Sequence, residues 1–351
     1  MLMPAALPNP TAQRTRRLLS ALFQGLLTLA LTLLGLLLVT FALSAFSPVD
    51  RVLQIVGDHA SQSTYDQVRH QLGLDRSLPV QFWHYLVNLA HGDLGTASAT
   101  GQPVLHDLLA AFPATLELAT LALIVGAVLG VIAGVLCARY AGTPWDFAVR
   151  TLTLLGNSVP IFWLGLLMLA LFYAKLQWSP GPGRLDDIYQ FTIEPKTGFA
   201  LIDTWLSGDK EAFRNAFSHL VLPVLLLAYY SMASITRLTR SACLSEMNKE
   251  YILLARAKGA GEMSILLRHV LPNIRGTLLT VIALAYTSML EGAVLTETVF
   301  SWPGIGRYLT TALFAGDMSA IMGGTLLIGV CFVLINNLTD VLVRLTDPRV
   351  S

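Results

Sequence analysis

Apolar runs long enough to cross a bilayer recur along the whole 351-residue chain, and no other feature restricts the fold as strongly. A hydrocarbon core of ~30 Å takes about 20 such residues in a helix. Six segments pass that length, at roughly 18–46, 114–138, 152–176, 219–236, 276–299 and 319–343. With 54% hydrophobic and 13% charged residues and a mean hydropathy of +0.62, the composition is far from that of a soluble domain of this size. The expected fold class is an all-α membrane protein with six transmembrane helices, and an even number of crossings puts both termini on one side. The first run follows "RTRRLL" and is about twice the ~7–15 residues of a signal-peptide core, so it reads as a retained anchor.

Lys and Arg decide the orientation. With the N-terminus inside, fourteen of the 23 basic residues fall on inner segments, seven of them between Arg237 and Arg275. The short first inner loop, with Arg139 and Arg150, and the basic 237–275 segment follow the positive-inside rule, so both termini are expected in the cytoplasm. The net charge of +1 gives no reason to expect nucleic acid as a partner. The outer loop 47–113 carries Leu, Val, Phe, Trp and Tyr at mixed spacing, punctuated by Pro79, Gly92 and Gly95, which predicts short amphipathic helices. The outer loop 177–218 opens on "WSPGPGR", a turn-rich exit from the third span.

Several chemistries have no residues to carry them. Cys137, Cys243 and Cys331 form no CxxC pair, and the seven His show no HxxxH or HExxH spacing, which argues against a zinc site. There is no GxxxxGK(S/T) loop to cradle nucleotide phosphates and no GxSxG nucleophile motif. No catalytic residue and no cofactor are expected on this chain.

The segment "EYILLARAKGAGEMSILLRHVLPN" (250–273) interrupts this apolar chain with basic residues. Between Ser241 and Lys258, Leu244, Met247, Tyr251, Leu254 and Ala255 recur at helical intervals, and Gly259 ends the run. A second short helix is expected from about Gly261, stopping before Pro272. Read from the residues alone, the segment is either an amphipathic helix on the inner leaflet or a docking element whose Ala255 and Ala257 let another surface approach closely.

Polar residues inside spans are costly and therefore informative. Glu117 lies near the outer end of the second span, and Glu291 and Glu297 lie in the outer half of the fifth. Asp340 closes the sixth, and Asn157, Ser158, Asn336 and Asn337 add polar groups. Glu117 and Glu297 either line an outer mouth or meet headgroup water or cap a neighbouring helix. Glu291, about four turns into its span, is the acid most directly placed to influence what passes. "SWPGIGRYL" (301–309), with Pro303, Gly304 and Gly306, is a break between the fifth and sixth spans, either a tight turn or a re-entrant loop with Trp302 and Tyr308 as interfacial anchors.

The spacing Ala-x-Ala-x-Gly followed by Leu-Pro in "LLARAKGAGEMSILLRHVLP" resembles the EAA loop of ATP-binding-cassette importer permeases. "QLGLDRSLPVQFWHYLVNLAHGDLG" (71–95), "FPATLELA" (112–119), "SVPIFWLGLL" (158–167), "LTETVFSWPGIGRYL" (295–309) and "NNLTDVLVRLTDPRV" (336–350) resemble the peptide/nickel permease family in order over nearly the whole chain. "TGFALIDTWLSG" (197–208) resembles its dipeptide and Sap-type branch. The resemblance implies the type I importer permease architecture, with a cytoplasmic N-terminus (1–17), an anchor helix (18–46), a periplasmic loop (47–113), a five-helix core (114–343) and a cytoplasmic tail (344–351). The core would carry the insert 177–218 and the coupling segment 237–275.

It also implies that Leu254, Ala255, Arg256, Ala257, Lys258 and Gly259 dock into a cleft of a separate ATPase subunit, supported by Arg268. The Glu of the family's motif would fall at Leu253, which removes one acidic contact. Glu117, Asn157, Glu291, Glu297, Trp302, Pro303 and Gly304 would belong to the path and its outer gate. The implied partners are a second homologous permease, one or two ATPases that use ATP and Mg, a periplasmic binding protein and the lipid of a bacterial inner membrane. The implied function is import of di- and oligopeptides. A Sap-type role with antimicrobial peptides or polyamine export, and uptake of a metal chelate or haem, are the alternatives within the family. An ion-driven secondary transporter is the rival outside it, and it would usually show repeated halves, which this chain lacks.

Overall fold

The computed structural model describes residues 10–46, 50–57 and 59–346, and every helix or strand element assigned there is helical. The anchor helix α1 (Pro10–Ala45) is followed by three short helices, α2 (Arg51–Val56), α3 (Gln62–Gln71) and α4 (Leu78–Ala90), as the punctuated outer loop suggested. The long helices α5 (Val104–Arg139) and α10 (Lys210–Met247) form the centre. Between them lie α6 (Pro144–Ser158), α7 (Ile161–Met168) with a π-helical extension (Leu169–Lys175), α8 (Asp187–Gln190) and α9 (Ala200–Leu206). After α10 come α11 (Glu250–Ala257) and α12 (Glu262–Ile265), which runs through a π turn (Leu266–Val270) into α13 (Leu271–Asn273). The chain finishes with α14 (Arg275–Val299), α15 (Ile305–Ala315) and α16 (Met318–Thr346).

Among the described residues, four helices are long and apolar enough to cross a membrane: α1 through Leu27–Ala45, α5, α10, and α16 through Met318–Thr339. The number rises to six if each of two bent pairs is one span. One pair is α6 with α7 and its π extension, bent by 100°; the other is α12 to α13 with α14, bent by 70°. The first bend breaks the span expected at 152–176 at Pro160. Pro160 has no N–H to donate and forces the residue before it out of the helical region, so Val159 is extended at φ −91°, ψ 129°.

α5 and α10 pack along most of their length because α5 carries Gly126, Gly130 and Gly134 one helical turn apart. A Cβ on Gly130 would lie 2.9 Å from Ile235 Cβ, and one on Gly134 would lie 2.9 Å from the Thr236 carbonyl oxygen. Only hydrogen fits there, so the two backbones approach as small residues allow in helix pairs within membranes. On one side of this seam the core is Leu118, Leu227, Met289 and Trp302; on the other it is Val135, Cys243, Ile252, Ile265, Leu266 and Val270. α14, α15 and α16 wrap one side of the central pair, and α1 packs on α16 at the periphery.

Other boundaries moved. α5 begins ten residues before the expected Ala114 and runs through Pro113. A helix flanked by packed neighbours tolerates one missing hydrogen bond. The helix expected over Ser241–Lys258 is instead two helices. α10 ends at Met247 and Lys249 is extended, because Lys249 Nζ (2.6 Å) and Tyr251 OH (2.6 Å) both reach back to Glu246 and fix a corner. The second short helix does not stop before Pro272; the π turn just before it absorbs the proline, and α13 carries Pro272 in its first turn.

Candidate functional site

At the end of the bundle where α9 and α15 begin, two of the buried acids, Glu297 and Glu117, each cap a neighbouring helix. α15 starts at Gly304, an N-cap residue with no side chain, so its first N–H groups need acceptors from elsewhere. Glu297, fully buried on α14, supplies them: its Oε2 accepts from the Gly306 N–H (2.7 Å) and the Arg307 N–H (3.2 Å). Its Oε1 accepts from the Thr115 hydroxyl of α5 (2.7 Å), and Thr115 Oγ1 accepts from the Ile305 N–H (2.8 Å). A carboxylate at a helix N-terminus also faces the positive end of the helix dipole.

Glu117 does the same for α9. Its Oε1 accepts from the Leu201 N–H (2.9 Å) and its Oε2 from the Ala200 N–H (3.2 Å). The Arg184 guanidinium donates to Glu117 Oε2 through Nε (3.2 Å) and Nη2, and to the Gly198 carbonyl (2.8 Å). It also lies 5.5 Å from the centre of the Trp302 ring. Trp302 is fully buried, its indole N–H donating to the Ala114 carbonyl (2.9 Å). This differs from the interfacial anchor expected of Trp302, because an indole with its N–H satisfied inside the bundle has no need of the headgroup region.

The break around Pro303 is shorter than expected. Phe300–Gly304 is the whole of it, and Gly306 already lies in α15, where a Cβ would collide with the Val294 backbone. Glu297, Glu117, Trp302 and Gly304 thus meet in one closed knot joining α5, α9, α14 and α15, and Pro303 is part of its turn. The side chains of Asn157, Glu291 and Asp340 lie outside the described residues. Near the middle of α5 and α14, Thr120 Oγ1 and Tyr286 OH meet at 3.0 Å, with Thr120 exposed. That hydroxyl pair was not singled out from the sequence. An isolated Thr and Tyr within apolar runs were its signal.

The opposite end, where the 250–273 segment lies, is built differently. Ile252, Ile265, Leu266 and Val270 are fully buried against Val135, Ala138 and Cys243, so the 250–273 segment rests on an apolar base. Its other side is bare: Leu253 and Leu254 are each 57% exposed, and Arg256, Ala257, Lys258, Gly259 and Arg268 are exposed. Ala255 alone of the expected docking residues turns inward and packs on the base. Gly259, at φ +83°, closes α11 in the left-handed region, with its N–H donating to the Arg256 carbonyl (2.9 Å). Arg256 pairs with Glu262 (Nε to Oε1, 2.8 Å), which bridges the turn and raises the guanidinium pKa further. Asp146 and Arg240, paired through two 2.7 Å hydrogen bonds, brace α6 to α10 nearby.

Two family models match this chain. The one described as a binding-protein-dependent transport system inner membrane component matches residues 126–351, and the N-terminal companion of such membrane components matches residues 18–119. The chain is 43% identical over 326 residues to a probable D,D-dipeptide transport system permease protein, DdpB, of Escherichia coli strain K12, covering 92% of this chain and 95% of that one. It is 42% identical over 320 residues to the di/tripeptide transport system permease protein DppB of Pseudomonas aeruginosa, covering 91% and 95%. Among solved structures, an inward-facing MetNI methionine ABC transporter chain aligns with a TM-score of 0.50 at 18% identity, covering 67% of this chain and 93% of that one, which speaks to the fold alone.

Proposed function

The chain belongs to the family of binding-protein-dependent transport system inner membrane components, and on that premise we propose that it is the permease subunit of an ATP-driven importer of di- and oligopeptides. The observation that carries the reading is the bare 253–259 rim on its buried base. Exposed leucines beside Arg256, Lys258 and Arg268 suit a partner cleft with apolar walls and acidic edges, and the base lets a push on the rim move α5 and α10. The chain itself binds no nucleotide in this reading. ATP and Mg are used by one or two partner ATPases, and a second homologous permease completes the pore.

Both termini and the 237–275 segment face the cytoplasm of a bacterial cell, and the loops 47–113 and 177–218 face outward to a substrate-loaded binding protein. Closing of the ATPase pair displaces the coupling segment, and packed spans switch between inward-open and outward-open arrangements. Linkage then requires that a loaded binding protein outside favour the ATP-bound state inside. Thr120 and Tyr286 line the path. The knot of Glu117, Glu297, Trp302, Pro303 and Gly304 frames the outer gate as one rigid piece.

Uptake of a labelled dipeptide into proteoliposomes holding the whole complex tests the proposal. Uptake that needs ATP, the binding protein and an intact Ala257 supports it. Uptake driven by an ion gradient without ATP refutes it.

A further inference from the structure

At the outer end of α1 an open cavity of about 310 Å³ lies between α1, α2, α3 and α4. It is far larger than the ~30 Å³ of one water. Its lining is mixed: Phe41 and Ser44 from α1, Asp50 at the start of α2, Tyr65 and Arg69 from α3, and Gln81 from α4. Asp50 is committed. Its Oδ1 caps α2 by accepting from the Val52 N–H (2.8 Å), and its Oδ2 accepts from the Tyr65 hydroxyl (2.8 Å), a bond that holds the carboxyl below its usual pKa.

Two other groups, Ser44 and Arg69, have no hydrogen-bond or salt-bridge partner among the described residues, although the Arg69 charge also helps to hold Asp50 ionised. Ser44 is only 6% exposed, yet its hydroxyl has no hydrogen-bond partner. A helical Ser or Thr normally donates to the carbonyl four residues earlier, as Thr40 does to Leu36 (2.9 Å). A buried hydroxyl left without a partner is unfavourable, so a lone one lining a cavity points to an occupant. Arg69 is exposed and has no salt-bridge partner among the described residues.

The surroundings say what kind of occupant fits. α1 is a peripheral helix packed mainly on α16 and α4, with Leu31, Leu34 and Leu38 exposed along it, as a lipid-facing helix would be. Where it ends, Phe46 is 79% exposed, and Trp83 on neighbouring α4 is 64% exposed. Trp and Tyr, unlike Phe, favour the headgroup level, so it is Trp83 that marks it here. The cavity is therefore at the depth of lipid phosphates and away from the α5–α14 hydroxyl pair. We propose that it holds the headgroup of a glycerophospholipid, with the phosphate accepting from Arg69 and from the Ser44 hydroxyl, and the acyl chains lying along the exposed face of α1.

The test counts lipids on the whole transporter, taken from nanodiscs of phosphatidylethanolamine and phosphatidylglycerol and examined by native mass spectrometry. The wild type, Arg69→Glu and Ser44→Val are compared, with thermal midpoints recorded to confirm that each is folded. The proposal expects one tightly held phospholipid on the wild-type chain and about tenfold weaker retention in each variant, the effect of losing roughly 1.4 kcal/mol of contact. Equal retention in all three, or a wild-type chain with no retained lipid, overturns it. Displacement of the lipid by millimolar inorganic phosphate would identify a free-anion site and overturn the lipid assignment.

Discussion

The knot around Glu117 and Glu297 and the exposed side of the 250–273 segment use their charged and polar groups in opposite ways. At the outer end Glu117, Glu297, Arg184, Thr115 and the Trp302 indole are all turned on one another or on helix ends, and the acids and the indole are buried. At the inner end the 250–273 segment buries only its apolar side and leaves Leu253, Leu254, Arg256, Ala257, Lys258 and Arg268 facing outward. The outer groups hold the fold together. The inner groups form a surface with little work to do inside the chain, which is what a docking element requires. Acidity within a span is thus a poor guide to a transport path when a nearby helix lacks its own cap.

Substitutions at the two ends should separate on this account. The largest effect is expected at Gly306, where any Cβ meets the Val294 backbone and crowds Glu297. Gly306→Val should exceed the ~4–5 kcal/mol that marks exceptional single changes, and should read as loss of monodisperse protein from detergent extracts. Glu117→Ala comes next, because it strands Arg184 and uncaps α9. Breaking a buried pair from one side costs about 3–5 kcal/mol, so thermal unfolding should fall sharply and recover in part when Arg184→Ala is added.

At the inner rim Ala257→Arg should leave stability within about 0.5 kcal/mol, as exposed sites usually do, while the ATPase subunit no longer co-purifies. The smallest shift belongs to Arg256→Ala. Its pair with Glu262 is 39% and 47% exposed, so its loss should cost under about 1 kcal/mol in unfolding and should be further masked by salt. An outer substitution that assembles normally, or a rim substitution that unfolds the chain, would erase the contrast.

The spans were legible because a bilayer demands apolar length, and sequence shows length directly. The helical character of the 250–273 segment was legible through its spacing, although the corner at Lys249 was not, since it depends on Glu246, Lys249 and Tyr251 closing on one another. The bend at Pro160 and the Gly126, Gly130, Gly134 seam were both written in the chain as local signals and were not read. The roles of the acids could not be read locally. Thr115 and Glu297 are 182 residues apart, and Arg184 is 67 from Glu117. Only folding makes them neighbours.

The most direct test of the central claim is to purify the chain gently from its own membrane and measure ATP hydrolysis by whatever accompanies it, with and without the loaded binding protein. The account predicts stoichiometric ATPase subunits, stimulated by the loaded binding protein and lost with Ala257→Arg. A solitary chain without ATPase activity, or a complex indifferent to Ala257→Arg, would contradict it and leave the 250–273 segment as a helix pair lying on the inner leaflet.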